Sequence, residues 1–161
     1  MRAAIVADTH MPRGRRRLPD RCLELISEAD ALLHAGDFTA VSVLEELEAL
    51  APRIHAVHGN VDEPRLRERL PHSVALEAGA FSVAVVHDAG PAKGRLARMR
   101  ARFPEADAVV FGHSHLPLHE REGDFQIFNP GSPTERRRAP RASMGLLSVS
   151  PRGPVFEHVW L

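Results

Sequence analysis

The sequence predicts an α/β (α+β) protein in which two mixed β-sheets pack face to face with helices outside. Three observations lead there. In the first half, short apolar runs alternate with segments of helical period, the pattern of strands joined by helices. In the second half the runs follow one another in hairpin fashion. Most of the runs end directly in a short polar motif: Asp8-Thr9-His10, Gly36-Asp37, Gly59-Asn60, His87 and Gly112-His113-Ser114-His115.

Each element has its own reason. Ala3–Ala7 is a continuous apolar run closed by Asp8 and reads as a buried strand. The Met11–Arg17 stretch holds Pro12, Gly14 and four arginines and reads as a loop. Leu18–Ala29 has helical spacing with Asp20 near its start, and Ala31–Leu33 is a second buried strand. Thr39–Leu50 is an amphipathic helix carrying Val41, Leu44, Leu47 and Leu50, with Thr39 or Ser42 as the expected cap. Ile54–Val57 is a third strand, and a short helix over Pro64–Arg69 follows. Ser73–Leu76 and Phe81–Val86 form a hairpin around Glu77-Ala-Gly-Ala80. Ala92–Phe103 is a basic helix, and Ala108–Phe111 is a further buried strand. Leu116–Arg121, Phe125–Phe128, Ser143–Val149 and Val155–Trp160 complete the strands, with Asn129-Pro-Gly-Ser132 as a turn.

Bulk properties narrow the function. The chain has 161 residues, enough for one domain over 1–161 with a proper core. Its formal net charge is zero, which gives no reason to expect a stable nucleic-acid complex or an anionic membrane surface. A single cysteine, Cys22, rules out an internal disulfide and reads as a small core residue. No run approaches a membrane span, and Asp8 interrupts the N-terminal run too early for a signal peptide. The expected location is the cytoplasm.

The motifs carry the chemistry. Asp8 and His10 stand two residues apart at a strand end, and side chains at that spacing share one side of an extended chain. Asp37 follows a glycine that lets the backbone turn sharply, and its two oxygens can bridge two cations. Asn60 offers a neutral oxygen. His87, His113 and His115 offer nitrogens, the last two again at i, i+2. Each motif alone is a commonplace turn or a pair of loop histidines. Together they are an inventory of oxygen and nitrogen donors without thiolate, which suits two hard-to-borderline divalent ions side by side.

This order of motifs, D-x-H, G-D, G-N, H and G-H-x-H, resembles the calcineurin-like metallophosphoesterase superfamily. Asp30-Ala-Leu-Leu-His-Ala-Gly-Asp37, Gly59-Asn-Val-Asp62, Gly112-His-Ser-His115 and Asn129-Pro-Gly-Ser132 are similar to its small bacterial and archaeal YfcE/MJ0936-type phosphodiesterase branch, to which the retromer subunit Vps29 is also related. The resemblance implies a four-layer αββα sandwich. It implies one ion held by Asp8, His10, Asp37 and His115, and a second by Asp37, Asn60, His87 and His113, with a metal-bridging hydroxide as nucleophile. Asp37, Asn60 and His113 would then act in catalysis. Manganese is the first choice of metal, with Ni, Fe or Zn as alternatives. The implied activity is hydrolysis of a small or nucleotide-like phosphodiester, with a homo-oligomer among the assemblies the branch allows.

One departure stands out. Many superfamily members place histidine directly after the asparagine, where it protonates the leaving group; here that position is Val61. Asp62 is one candidate to substitute, and Arg13, from the basic run after His10, is a candidate phosphate contact. Asp88 after His87 replaces a more usual glycine and is expected to face solvent or to orient a histidine. His34 is expected to sit under the site, while His55, His58, His72, His119 and His158 have no partner among the motifs. Three competing readings are a non-catalytic scaffold of the same fold, a phosphomonoesterase and a mononuclear zinc hydrolase. A decayed scaffold should have lost metal-binding side chains, and here all of them are present.

Overall fold

In the computed structural model, which describes residues 1–161, the N-terminal apolar run forms strand β1 (Arg2–Val6) and feeds two different cores. Ala3, Ile5 and Ala7 pack with Leu33, Val85, Val110 and Phe128 in a cluster of 15 buried residues between the sheets. Ala4 and Val6 point the other way, into a 17-residue cluster with Cys22, Ile26, Leu44 and Leu47. A strand buried on both faces needs an unbroken apolar run rather than an alternating one, which is why Ala3–Ala7 reads as it does.

The order continues with α1 (Asp20–Ser27), β2 (Ala31–His34), α2 (Val41–Leu50), β3 (Ile54–Ala56), α3 (Pro64–Arg69), β4 (Ser73–Ala78) and β5 (Phe81–Val86). Then come α4 (Arg95–Arg102), β6 (Ala108–Phe111), β7 (Leu118–Glu122), β8 (Phe125–Asn129), β9 (Ser143–Ser150) and β10 (Gly153–Trp160). One five-stranded sheet has the order β10-β9-β1-β2-β3 and the other β4-β5-β6-β8-β7. Both are mixed. β1, β2 and β3 run parallel, as do β5, β6 and β8, while β9, β10, β4 and β7 are antiparallel to their neighbours. Helices α1, α2 and α3 cover the outer face of the first sheet through Leu25, Leu44 and Leu66. Met99 of α4 packs with Val86, Val109, Phe111 and Ile127 on the outer face of the second. The expected αββα layering is therefore what forms.

Several boundaries differ for local reasons. Helix α4 begins at Arg95 rather than Ala92, because Gly94 at its N-cap has φ +69°, a left-handed turn that a helix does not pass through. Strand β7 begins at Leu118, since Pro117 has no amide to offer a ladder. Neither Thr39 nor Ser42 caps α2. The Thr39 hydroxyl bonds the Met11 carbonyl instead, and the Val41 amide donates to Glu63 Oε1 at 2.8 Å. The cap thus comes from a distant segment, so a search of the helix's own sequence misses it. Cys22 is buried, and that burial pushes its thiol up to about 12, as befits a core residue.

Candidate metal centre

The polar motifs follow the carboxyl ends of parallel strands. Asp8 and His10 lie after β1, Asp37 after β2, Asn60 after β3, His87 after β5, and His113 and His115 after β6. That end of parallel strands is where open α/β sheets bind ligands. The backbone there is unusual: φ is +55° at Asp8, +46° at His10, +62° at Asp37, +68° at His113 and +60° at His115. Non-glycine residues seldom adopt the left-handed region, and they persist in it where a functional site holds them. This corrects the extended-chain argument for the i, i+2 pairs. Asp8/His10 and His113/His115 are brought to the site by left-handed turns, not by the pleat of a strand.

Two groups of donor atoms result. The ligand atoms of Asp8, His10 and His115 lie within 4.8 Å of one another, and so do those of Asp8, Asp37 and His87. His10 Nε2 is 3.2 Å from His115 Nε2. On the other side, Asn60 Oδ1 lies 2.9 Å from both His87 Nε2 and His113 Nδ1. Asp37 Oδ2 stands between the groups, 3.5 Å from His10 Nε2 and 3.4 Å from His87 Nε2. His113 and His115 thus belong to different groups.

The surrounding hydrogen bonds set which ring nitrogen faces inward. A carbonyl only accepts, so His87 donates from Nδ1 to Ala35 (2.8 Å) and His115 donates from Nδ1 to Glu135 (2.6 Å). Each leaves Nε2 for the cluster, the arrangement by which proteins orient metal-binding histidines. Asp8 Oδ1 accepts from the His113 amide, but Asp8 Oδ2 is buried with no hydrogen-bond partner. An unpaired buried carboxylate oxygen is costly, and a divalent cation removes that cost. The donor set and this orphaned oxygen fit metal ions.

The electrostatics agree. Burial pushes the Asp8 carboxyl up to about 7, with the neighbouring Asp37 charge adding to it. Burial likewise lowers His10, and takes His115 down to about 4 and His34 to about 3. Burial opposes ionisation of Asp37, but contacts with His87, the Val61 amide and His10 outweigh it and hold the carboxyl at about 2. Burial also opposes a charge on His87, yet the Asp37 carboxylate overrides it and raises His87 to about 9. In the metal-free protein, His87 is therefore the cation beside Asp37. A metal ion must displace that proton below pH 9 and the Asp8 proton below pH 7, so affinity should rise with pH across this window. Calorimetric metal titration at pH 7.5 in two buffers of different ionisation enthalpy should report net proton release. Equal heats in the two buffers would contradict this account.

Other residues hold the frame. Asp62 is buried; its Oδ1 accepts from the Thr39 amide and its Oδ2 from the Gly59 amide, both at 2.7 Å. Its carboxylate thus closes the loop that carries Asn60, with one backbone amide on each oxygen and almost no exposed surface. His34 lies under the site, stacked on Phe38, accepting from the Gly36 amide at Nδ1 and paired with Thr9 Oγ1. Asn129 donates to the Gly112 carbonyl and Ser132 to the Asp8 carbonyl, so the Asn129–Ser132 turn braces two motifs at once. Glu135 reaches the cluster, with Oε2 3.8 Å from His10 Nε2 and Oε1 3.2 Å from Arg16. Sequence reasoning did not single out Glu135, and no spacing signal marks it. Arg13 is exposed in a cleft with Arg15, Arg16, Arg17 and Thr134. Asp88 is exposed and accepts from the Gly90 amide, closing its own turn. His119 pairs with Gln126 and His158 with the Asn129 carbonyl, away from the cluster.

Two sheets whose parallel strands deliver carboxylates and imidazoles to one cluster define the frame of a metal-binding site. The family model described as the calcineurin-like phosphoesterase superfamily domain matches residues 1–152, and the chain belongs to that superfamily. It is similar to a probable metallophosphoesterase of Methanothermobacter thermautotrophicus, 34% identical over 139 residues, covering 85% of this chain and 80% of the relative. It is also similar to the Escherichia coli phosphodiesterase YfcE, 28% identical over 170 residues, covering 91% and 87%. Among solved structures, wild-type Vps29 of Entamoeba histolytica complexed with Zn²⁺ superposes with a TM-score of 0.78 over 99% of both chains at 21% identity. That last likeness speaks for the fold. No helix is long and apolar enough to cross a membrane.

Proposed function

We propose that the chain is a phosphodiesterase that hydrolyses a small or nucleotide-like phosphodiester at a centre of two divalent ions. Asp8, His10, Asp37 and His115 would hold one ion and Asp37, Asn60, His87 and His113 the other. The observation that carries this reading is the position of Asp37 Oδ2, midway between the two histidine groups at 3.5 and 3.4 Å. Such ions supply a water made nucleophilic near neutral pH and neutralise charge on the phosphoryl oxygens. Three oxygen-donor residues and four imidazoles suit Mn, Ni, Fe or Zn, and manganese is the first choice on the family resemblance.

The chain's own residues set the specificity of that chemistry. His87 and His115 are oriented by carbonyls, so both turn Nε2 toward the cluster without rearrangement, His87 offering its lone pair once its second proton has left. Val61 offers no proton, and its amide is taken up by Asp37 Oδ1 at 3.1 Å. Asp62, buried and engaged by two backbone amides, is a poor substitute. A leaving group must therefore depart with little help, and general acid help is worth roughly 10²–10⁴-fold where it exists. The expected result is metal-dependent hydrolysis of bis(4-nitrophenyl) phosphate, abolished by chelation and restored best by Mn, with alkyl diesters far slower than aryl ones. Activity that survives chelation would overturn the reading, and cleavage of alkyl and aryl diesters at similar rates would contradict the missing proton donor.

A further inference from the structure

Beside the Asn60–His87 side of the cluster lies a cleft of about 450 Å³ that shares Gly59, Asn60 and His87 with the motifs and is completed by residues outside them. Val86 is its one apolar lining residue. The rest of the wall includes His58, His72, Arg67 and Arg102, with Asn60 and His87 at the end shared with the metal centre. The His58 and His72 rings meet edge to face at 4.3 Å, although one follows β3, the other precedes β4, and nothing in the sequence pairs them.

The two arginines are the informative part. Neither has a carboxylate within salt-bridge distance. Arg67 is fixed by main-chain carbonyls: Nε donates to Asp62 at 3.0 Å and Nη2 to Asn60 at 2.7 Å. A guanidinium has five N–H donors, so Arg67 keeps three for a ligand. Arg102 donates from Nη1 to the Asp88 carbonyl at 3.4 Å, and its guanidinium lies over the Phe103 ring at 5.1 Å. The carboxylate of Asp88 also lines the cleft, but its Oδ1 accepts from the Gly90 amide. Two guanidiniums held by backbone contacts thus face one carboxylate that closes its own turn. An apolar leaving group gains nothing from such a wall, whereas a phosphate accepts from planar guanidinium forks in the geometry they offer.

We infer that this cleft binds a second phosphate group of the substrate, one carried beside the phosphodiester that is cleaved. The inference rests on the phosphodiesterase reading above and narrows it to substrates with two phosphate groups a short span apart, such as a nucleotide phosphorylated at both hydroxyls.

The test compares two substrates in the metal-loaded protein: thymidine 5′-(4-nitrophenyl phosphate), and the same compound with a 3′-phosphate. The wild type should show a KM about tenfold lower for the 3′-phosphorylated compound, the size expected for hydrogen bonds to a charged group. Arg102→Met should bring the ratio of the two KM values close to one. The control Arg121→Met, at an exposed arginine paired with Asp124 elsewhere, should keep the preference. Equal KM values in the wild type, or a preference that survives Arg102→Met, would overturn the inference while leaving the phosphodiesterase reading intact. Failure to cleave either compound with any metal would overturn that reading instead. The cleft is then judged by calorimetry, where thymidine 3′,5′-bisphosphate should bind more tightly than thymidine 5′-phosphate to the wild type but not to Arg102→Met. Equal binding of the two by the wild type would overturn the inference there too.

Discussion

Asp37→Asn is expected to lower metal-dependent hydrolysis of an aryl phosphodiester by on the order of 10³-fold or more. The substitution is nearly isosteric, and the fold should tolerate it. The amide oxygen can still accept from the Val61 amide, as Asp37 Oδ1 does at 3.1 Å. What is lost is the second oxygen, the one that stands 3.5 Å from His10 Nε2 and 3.4 Å from His87 Nε2. An amide nitrogen in that place offers hydrogens toward the cluster and carries no charge. His87, raised to about 9 mainly by Asp37 against its burial, should lose that support and titrate lower. Initial rates with bis(4-nitrophenyl) phosphate, with circular dichroism to confirm an unchanged fold, check this. A variant with wild-type rates would remove Asp37 from the mechanism.

Gly59→Ala should damage the same site through shape alone. A Cβ built on Gly59 would overlap the Asp37 carboxylate, with Asp37 Cγ 2.7 Å away. The loop cannot retreat cheaply, because the Gly59 amide is held by Asp62 Oδ2 at 2.7 Å. Overpacking of this kind costs about 1–3 kcal/mol in a core. Here it also displaces the residue placed between the two groups. The variant should unfold at lower temperature and lose most of its hydrolysis. Gly14→Ala is the control for activity, since a Cβ there meets nothing within 4 Å; its φ of +62° carries its own backbone cost of about 1–2 kcal/mol. A Gly59→Ala protein as active as Gly14→Ala would contradict this role for Gly59.

The parts legible in the sequence were those that local pattern controls. The strand at Ala3–Ala7, the helix over Val41–Leu50 and the β4–β5 hairpin each follow from burial or turn chemistry within a few residues. So did the motif glycines at Gly36 and Gly59, which let segments from β2 and β3 touch. The illegible parts depend on residues far apart in the chain. Asp62 reads as a free acid until Thr39 and Gly59 are seen to donate to it. The cap of α2 comes from Glu63, beyond the helix's other end. His58 and His72 meet because the end of β3 lies beside the start of β4, and Glu135 reaches His10 across 125 residues. The left-handed turns at Asp8 and His10 were hidden for another reason: side-chain spacing suggests convergence but does not say which backbone produces it.

The central claim is that Asp37 joins two ion sites in one chain. Metal titration of the chelator-stripped protein, counted by elemental analysis after desalting, tests it most directly. The wild type should retain two manganese ions per chain and Asp37→Asn fewer than two. One ion per chain in the fully active wild type would contradict the account and favour a mononuclear hydrolase.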